Sequence, residues 1–367
     1  MSHKSSADAG KARAPGPTYQ EVVLNDASAP PAPFLEYSYE FTGDQDIPYS
    51  NYTSADFAKA EFQKMWPKGW QMACREEHIP EAGDYQVYDI GHLSAIVTRT
   101  SSGEIKAFFN ACMHRGTALK PPASSGACNE FRCPFHGWRY SLEGELIELP
   151  EAWDFPHVDS GSHRLRELRV DTWAGFIFIN FDSNAGPLKE YLGVLPAHLD
   201  DFGIGDRYIE THLCKRLPVN WKAAEEAFME AYHVKETHAG GREFSEPITT
   251  YDVFGDNVNR FIHTVGAANP RMPKPPTQQD LMQQLWGRRG PIEGECPRVP
   301  EGQTARDLYA RIIQAQLGEK YDQDFSDYST AQTLDSIEYF LFPNLFIFPG
   351  LSLPMVYRFR PDPENPD

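Results

Sequence analysis

The chain has 367 residues, 41% of them apolar, and a formal net charge of −18. That length and apolar content support one large domain or two, with a sizeable core, and exclude a wholly disordered chain. The acidic balance argues against nucleic acid or an anionic membrane as partner, since both would repel this surface, and no apolar run reaches the length of a membrane span.

In chain order, residues 1–52 read as a flexible N-terminal arm. The stretches 11–17 and 27–33 are rich in Ala, Pro and Ser, which resist packing. Residues 1–14 are polar and lack the apolar stretch of a secretion signal. Six cysteines are too few for a disulfide scaffold in a chain of this size, so a reducing cytoplasm is the expected location. Thr53 and Asp56 fit a capping box for a helix running to Trp66, with Ala58, Phe62 and Met65 on one face. From Gly69 the pattern changes to short strands at 85–90, 93–99 and 105–110, with Ser101-Ser102-Gly103 as a hairpin turn. Residues 138–142 and 173–181 add more strand, and together these describe a small all-β domain over 53–183 with its leading helix.

The second half, 184–367, alternates differently. Residues 209–216 read as a strand, 221–233 as a helix and 258–263 as a strand. Residues 336–348 and 355–360 are further strands joined by a turn at Pro349-Gly350. The expectation is an α+β domain with an antiparallel sheet. A polar, Pro-rich and then helical insertion spans 270–333 and reads either as a lid or as a solvated surface excursion.

Two cysteine–histidine pairs lie in the β domain, Cys112-Met113-His114 and Cys133-Pro134-Phe135-His136. Two thiolates and two imidazoles are what a Rieske [2Fe–2S] cluster requires, because two His replace two Cys on one iron. The same donors suit a Cys2His2 zinc site. Glycine at 116 and 137 fits loops that close over a cluster. Cys128, Cys74, Cys214 and Cys296 read as ordinary thiols.

A second histidine group follows in Glu226-Ala227-Phe228-Met229-Glu230-Ala231-Tyr232-His233 and, five residues later, His238. Glu226, Glu230 and His233 fall on one helical face. His238 lies about 140° away on an ideal helix, so a break between Val234 and Thr237 is expected if both imidazoles are to meet one ion. Two His and one carboxylate form the facial triad of non-haem Fe(II) oxygenases. A pair of structural histidines explains the spacing equally well.

The run Cys112-Met113-His114-Arg115-Gly116 with Cys133-Pro134-Phe135-His136-Gly137-Trp138 resembles the cluster signature of the Rieske non-haem iron oxygenases, the terminal α subunits of ring-hydroxylating dioxygenases. The likeness runs from about residue 60 to the end. It implies a Rieske domain followed by a helix-grip, START-like α+β catalytic domain. Cys112 and Cys133 would hold the inner iron of the [2Fe–2S] cluster, His114 and His136 the outer one, and His233 and His238 a mononuclear Fe(II). Glu230 stands where the family usually has an aspartate that bridges the first iron ligand to a cluster histidine of the neighbouring subunit. The family's third ligand is an aspartate beyond the strand pair around Phe342-Pro343-Asn344-Leu345-Phe346. Asp335, Asp362 and Asp367 match it only by residue type, so the sequence reads as a C-terminally truncated piece with that ligand beyond residue 367. The resemblance further implies O2 and an aromatic or other apolar small molecule as substrates, with cis-dihydroxylation leading and monooxygenation or demethylation, including that of quaternary amines, second. Implied partners are a reductase, with or without a ferredoxin, and further copies in a homotrimer, with or without a β subunit. A Rieske electron carrier without oxygenase activity is the reading from another class. The aromatic run Tyr339, Phe340, Phe342, Phe346 and Phe348 reads as pocket lining or sheet core.

Overall fold

Within the expected flexible arm, residues 19–35 are docked on the rest of the chain through three apolar side chains, whereas residues 36–50 are largely exposed. In the computed structural model, which describes residues 16–237, 248–268, 274–288 and 294–362, Thr18 and Glu21 form a capping box for helix α1 (Tyr19–Val23). Helix α2 (Ala32–Leu35) follows, with Pro33 in its first turn. Tyr19, Val23 and Phe34 are fully buried. Proline restricts the unfolded chain and so lowers the entropic cost of ordering it. Three apolar anchors therefore suffice to dock a string whose composition suggests disorder.

Helices α3 (Ser50–Thr53) and α4 (Ala55–Lys64) lead into the β domain, and Ser54 rather than Thr53 caps α4 by accepting from the Phe57 N–H. Three small antiparallel sheets follow. One pairs β1 (Gln71–Arg75) with β10 (Phe176–Asn180) and β9 (Arg169–Trp173). A second holds β4 (Ile105–Phe109), β3 (Leu93–Arg99), β2 (Asp84–Ile90) and β5 (Ser125–Ala127). The third holds β6 (Phe131–Arg132), β7 (Arg139–Tyr140) and β8 (Leu146–Glu148). Helices α5 (Leu188–Tyr191) and α6 (Leu195–Leu199) cross to the second half. Residues 209–216, read as a strand, form none and are largely exposed. Lacking a neighbouring strand, that stretch leaves its backbone to water, apart from the Ile209 N–H, which donates to Glu77 at 3.1 Å.

The second half holds a five-stranded antiparallel sheet in simple order, β11 (Thr249–Phe254), β12 (Val258–His263), β13 (Ser336–Leu341), β14 (Leu345–Phe348) and β15 (Met355–Arg358). Helix α7 is only Trp221–Glu226 and α8 is Val234–Thr237, so the helix expected over 221–233 breaks seven residues early. Between β12 and β13, α9 (Gln278–Arg288) and α10 (Ala305–Tyr321) pack together with Leu334 in a core of their own, and α11 (Thr330–Leu334) leads back to the sheet. About half of the 270–333 insertion is thus helix, and those helices form a packed layer.

The sheet has two unlike faces. Its back face presents Val258, Ile262, Ile337, Tyr339, Leu341, Leu345 and Ile347 to the arm, to α5 and α6, and to Met72, Phe176 and Phe178 of the β domain. Ions are buried there too. Asp252 pairs with Arg260, 2.9 Å apart and both side chains inaccessible. Arg306 is held between Asp26 of the arm (2.8 Å) and Asp335 (2.7 Å), and the Tyr19 hydroxyl donates to Asp335. Tyr339, expected among the aromatic candidates for a pocket, lies on this face and bonds His198. The front face is aromatic. Phe340, Phe346, Phe348, Met355 and Tyr357 cluster with Phe228 and Met229 from the segment after α7.

The two halves are latched by Asn344, whose side chain accepts from the Met72 N–H at 3.0 Å and donates to the Met72 carbonyl and the Tyr88 hydroxyl. Lys222 on α7 pairs with the buried Glu61 of α4 at 2.7 Å, and Trp221 packs on Trp66. These contacts fix where α7, and the histidine segment behind it, sits.

Candidate metal centres

The two cysteine–histidine loops are built alike. In each, the glycine four residues after the cysteine donates its N–H to the cysteine carbonyl: Gly116 to Cys112 at 2.8 Å, Gly137 to Cys133 at 3.1 Å. The cysteine N–H in turn donates to the residue one further on, Thr117 or Trp138. Gly116 and Gly137 have φ of +74° and +77°, a left-handed turn that an L side chain resists. Cys112 and Cys133 are buried, whereas His114 is half-buried and His136 exposed. The two Nδ1 atoms face each other at 3.1 Å. His114 stacks on Trp138, with rings 7° from parallel and 5.1 Å apart, and Phe155 meets both edge-on.

This arrangement offers a sulfur pair beneath a nitrogen pair. Among the described residues no three His, Cys, Asp or Glu side chains converge to hold a single ion. Two thiols and two facing imidazoles on twinned loops are the donor set of a two-iron Rieske cluster. Burial pushes the Cys112 thiol up, a shift that binding a positive metal would reverse. The Tyr140 hydroxyl lies 3.3 Å from Cys112 Sγ and accepts from the Met113 N–H. Its own proton is thereby left to donate to sulfur. Burial and the facing His136 lower the His114 pKa, keeping the imidazole neutral, as a ligand must be.

The second group is less complete. After α7 the chain turns, and Phe228 inserts among Phe346, Phe348 and Tyr357. Glu226, expected on one helical face with Glu230 and His233, instead accepts from the Tyr52 hydroxyl. One Glu230 oxygen pairs with His233 Nδ1, and the other accepts from the His233 and Tyr232 N–H groups. The expected break thus comes ahead of His233, whose carbonyl starts α8 by accepting from Glu236 and Thr237. A carboxylate on Nδ1 fixes the tautomer with the proton on that nitrogen, the arrangement a metal-ligating imidazole takes.

His238 lies outside the described residues, as does Asp367. Asp335 is fully engaged by Arg306, Tyr19 and the Val265 N–H, and Asp362 pairs with Arg216 at 3.3 Å. Neither is placed to complete a triad with His233. His233 and Glu230 therefore fit a mononuclear iron as one ligand and its support.

Tyr140, beside Cys112, escaped the sequence reading, as did the buried Glu338. Tyr140 sits seven residues past Cys133 with nothing to mark it. Glu338, on β13, a fully buried strand, carries the one signal available, a carboxylate between Ile337 and Tyr339.

Known proteins resemble this chain in both halves. The model of the Rieske [2Fe-2S] domain matches residues 69–159, and that of the ring hydroxylating alpha subunit catalytic domain matches residues 197–366. Chlorobenzene dioxygenase subunit alpha of Cupriavidus sp. (strain PS12) is 33% identical over 197 residues, 52% of this chain and 44% of that protein. The carnitine monooxygenase oxygenase subunit of Escherichia coli (strain K12) is 28% identical over 221 residues, 60% of this chain and 56% of that one. A solved quaternary ammonium Rieske monooxygenase in complex with L-carnitine superposes with a TM-score of 0.54 at 25% identity, covering 59% of this chain and 62% of its own. Naphthalene 1,2-dioxygenase with indole bound gives 0.58 at 21% identity over 84% and 69%, a likeness of fold. The chain spans about half the length of the curated relatives it matches.

Proposed function

The chain belongs to the Rieske ring-hydroxylating oxygenase α subunits, and from that membership we propose that it is the terminal oxygenase of a multicomponent system. It takes NAD(P)H-derived electrons from a reductase, with or without a ferredoxin, and uses O2 to hydroxylate a small molecule. The observation that carries the reading is the pair of twinned loops that set two buried thiols beneath two facing imidazoles.

When bound, the [2Fe–2S] cluster supplies one-electron transfer and the mononuclear iron supplies O2 activation. The residues of the chain do the rest. Cys112 and Cys133 keep the sulfur end dry, while the exposed His136 and half-buried His114 put the other end at the surface, where electrons enter or leave. Tyr140 donates toward a ligand sulfur. Glu230 orients His233 and holds the proton on Nδ1. The aromatic front face of the sheet excludes water from the space beside His233.

In a homotrimer, Glu230 would also accept from His136 or His114 of the neighbouring subunit and so carry electrons across the interface. His238 and an aspartate beyond residue 367 would complete the iron ligands. Aromatic cis-dihydroxylation is the first reading of the reaction, supported by the aromatic face. Monooxygenation with N- or O-demethylation is the second, favoured by glutamate rather than aspartate at position 230.

The test is iron, zinc and acid-labile sulfide per chain, with an EPR spectrum after dithionite reduction. Two irons and two sulfides with a Rieske-type signal are expected, and a third iron where the second site is filled. Zinc without sulfide would overturn the reading.

A further inference from the structure

Most buried carboxylates here have a cation beside them: Asp26 and Asp335 share Arg306, Asp252 has Arg260, and Glu61 has Lys222. Glu338 does not. It is 4% exposed, and among the described residues its only hydrogen bond comes from the Ser336 hydroxyl at 2.8 Å. The nearest cationic group is His263 Nδ1, at 3.9 Å. An ionised carboxylate so placed is costly unless something positive meets it. Glu225 is a second such group, but it lies beside Glu226 and Tyr52.

Glu338 lies on the front face. Across the sheet it is opposite Phe261 of β12, which is opposite Tyr251 of β11. Tyr251 and Phe261 stack with centroids 4.7 Å apart. On the other side Phe348 and Tyr357 meet edge to face at 5.6 Å, and both Tyr251 and Tyr357 feel the charge of Glu338. The Tyr251 hydroxyl accepts from the Ala231 N–H and also feels Glu230, which ties this row to the segment bearing His233. The row opens where Tyr251 and His263 are partly exposed.

We propose that Glu338, walled by Tyr251, Phe261, Phe348 and Tyr357, is a subsite for the positively charged head group, a quaternary or protonated amine, of the molecule the catalytic domain acts on. Aromatic faces attract such a cation through their quadrupoles, and desolvation strengthens the attraction. The carboxylate supplies the counter-charge. Burial pushes Glu338 up to about 8, so at neutral pH it is protonated when empty and loses its proton as the cation arrives. The groups facing it are His263, Tyr251, Tyr357 and the Ser336 hydroxyl. Affinity rises with pH and levels off above about 8. This assignment rests on the oxygenase reading only in treating the front face as the substrate surface.

The test is calorimetric titration of the chain with choline and with its uncharged carbon isostere, 3,3-dimethyl-1-butanol, in two buffers of different ionisation enthalpy. Binding needs neither electrons nor O2, so its failure is distinct from a failed iron and sulfide analysis. Choline is expected to bind at least about tenfold more tightly than the isostere, with proton release at pH 7. Glu338→Gln, which retains the bond to Ser336, is expected to remove both the preference and the release, and Tyr251→Leu to weaken choline alone. No choline binding to the parent chain, equal affinity for the two probes, or an unchanged preference in Glu338→Gln would each overturn it. Thermal unfolding of each variant checks that it is folded.

Discussion

In the β domain four donors come from two neighbouring loops that repeat one hydrogen-bond pattern, each turn closed by a glycine at positive φ. In the catalytic half one histidine is held by its own local carboxylate, on a segment placed by contacts from afar: Lys222 to Glu61, Trp221 to Trp66, Phe228 into the sheet. The first site is specified locally and is complete within its loops. The second depends on an α+β scaffold that must assemble first. An electron-transfer site works when rigid, because its geometry changes little with charge. A substrate site has to leave positions open, and the segment bearing His233 is positioned by side chains of distant strands.

Breaking the local site should have the largest effect. Cys112→Ser or Cys133→Ser is expected to abolish the cluster, with no labile sulfide and no Rieske signal, while circular dichroism still reports the catalytic sheet. Retained sulfide would show that these are not the ligands. Next comes the long-range support. Arg306→Leu leaves Asp26 and Asp335 buried without their cation and should cost about 3–5 kcal/mol. Denaturant unfolding is expected to lose tryptophan and tyrosine signals at a lower midpoint, with cluster absorbance persisting at least as long. Simultaneous loss of both signals would mean that the β domain has no stability apart from the sheet it latches to.

Smaller effects separate the two sites more finely. Glu230→Gln removes the charge behind His233 and should weaken iron at the second site by about 10–100-fold, leaving two irons and two sulfides in the cluster. An unchanged iron titration would remove Glu230 from the site. Tyr140→Phe deletes one hydrogen bond toward Cys112 and is expected to lower the cluster potential by about 40 mV, the one-electron equivalent of about 1 kcal/mol. A potential unmoved by the substitution would place that proton elsewhere.

The legibility of the sequence follows the same division. Cys112, His114, Cys133 and His136 were readable because their spacing is the site; the loop geometry follows from a few residues and two glycines. His233 and Glu230 were readable as residue types, but the helix meant to carry them was not. The sheet pulls Phe228 into its front face, which costs less than continuing α7 past Glu226 with that ring in water. The packed arm was missed because Pro and Ala signal disorder only until Tyr19, Val23 and Phe34 find a core.

By itself, then, the sequence marked the candidate cluster donors, the two-part organisation and the antiparallel strands, because each is written in short-range pattern. Only the tertiary structure decided that Tyr19, Val23 and Phe34 join the core, that Asp335 is engaged by Arg306, and that Glu338 has, among the described residues, only the His263 imidazole near it amid aromatic rings. Those outcomes depend on which side chains meet across hundreds of residues. For a buried charge, the presence or absence of a partner separates a structural ion pair from a place waiting for a ligand.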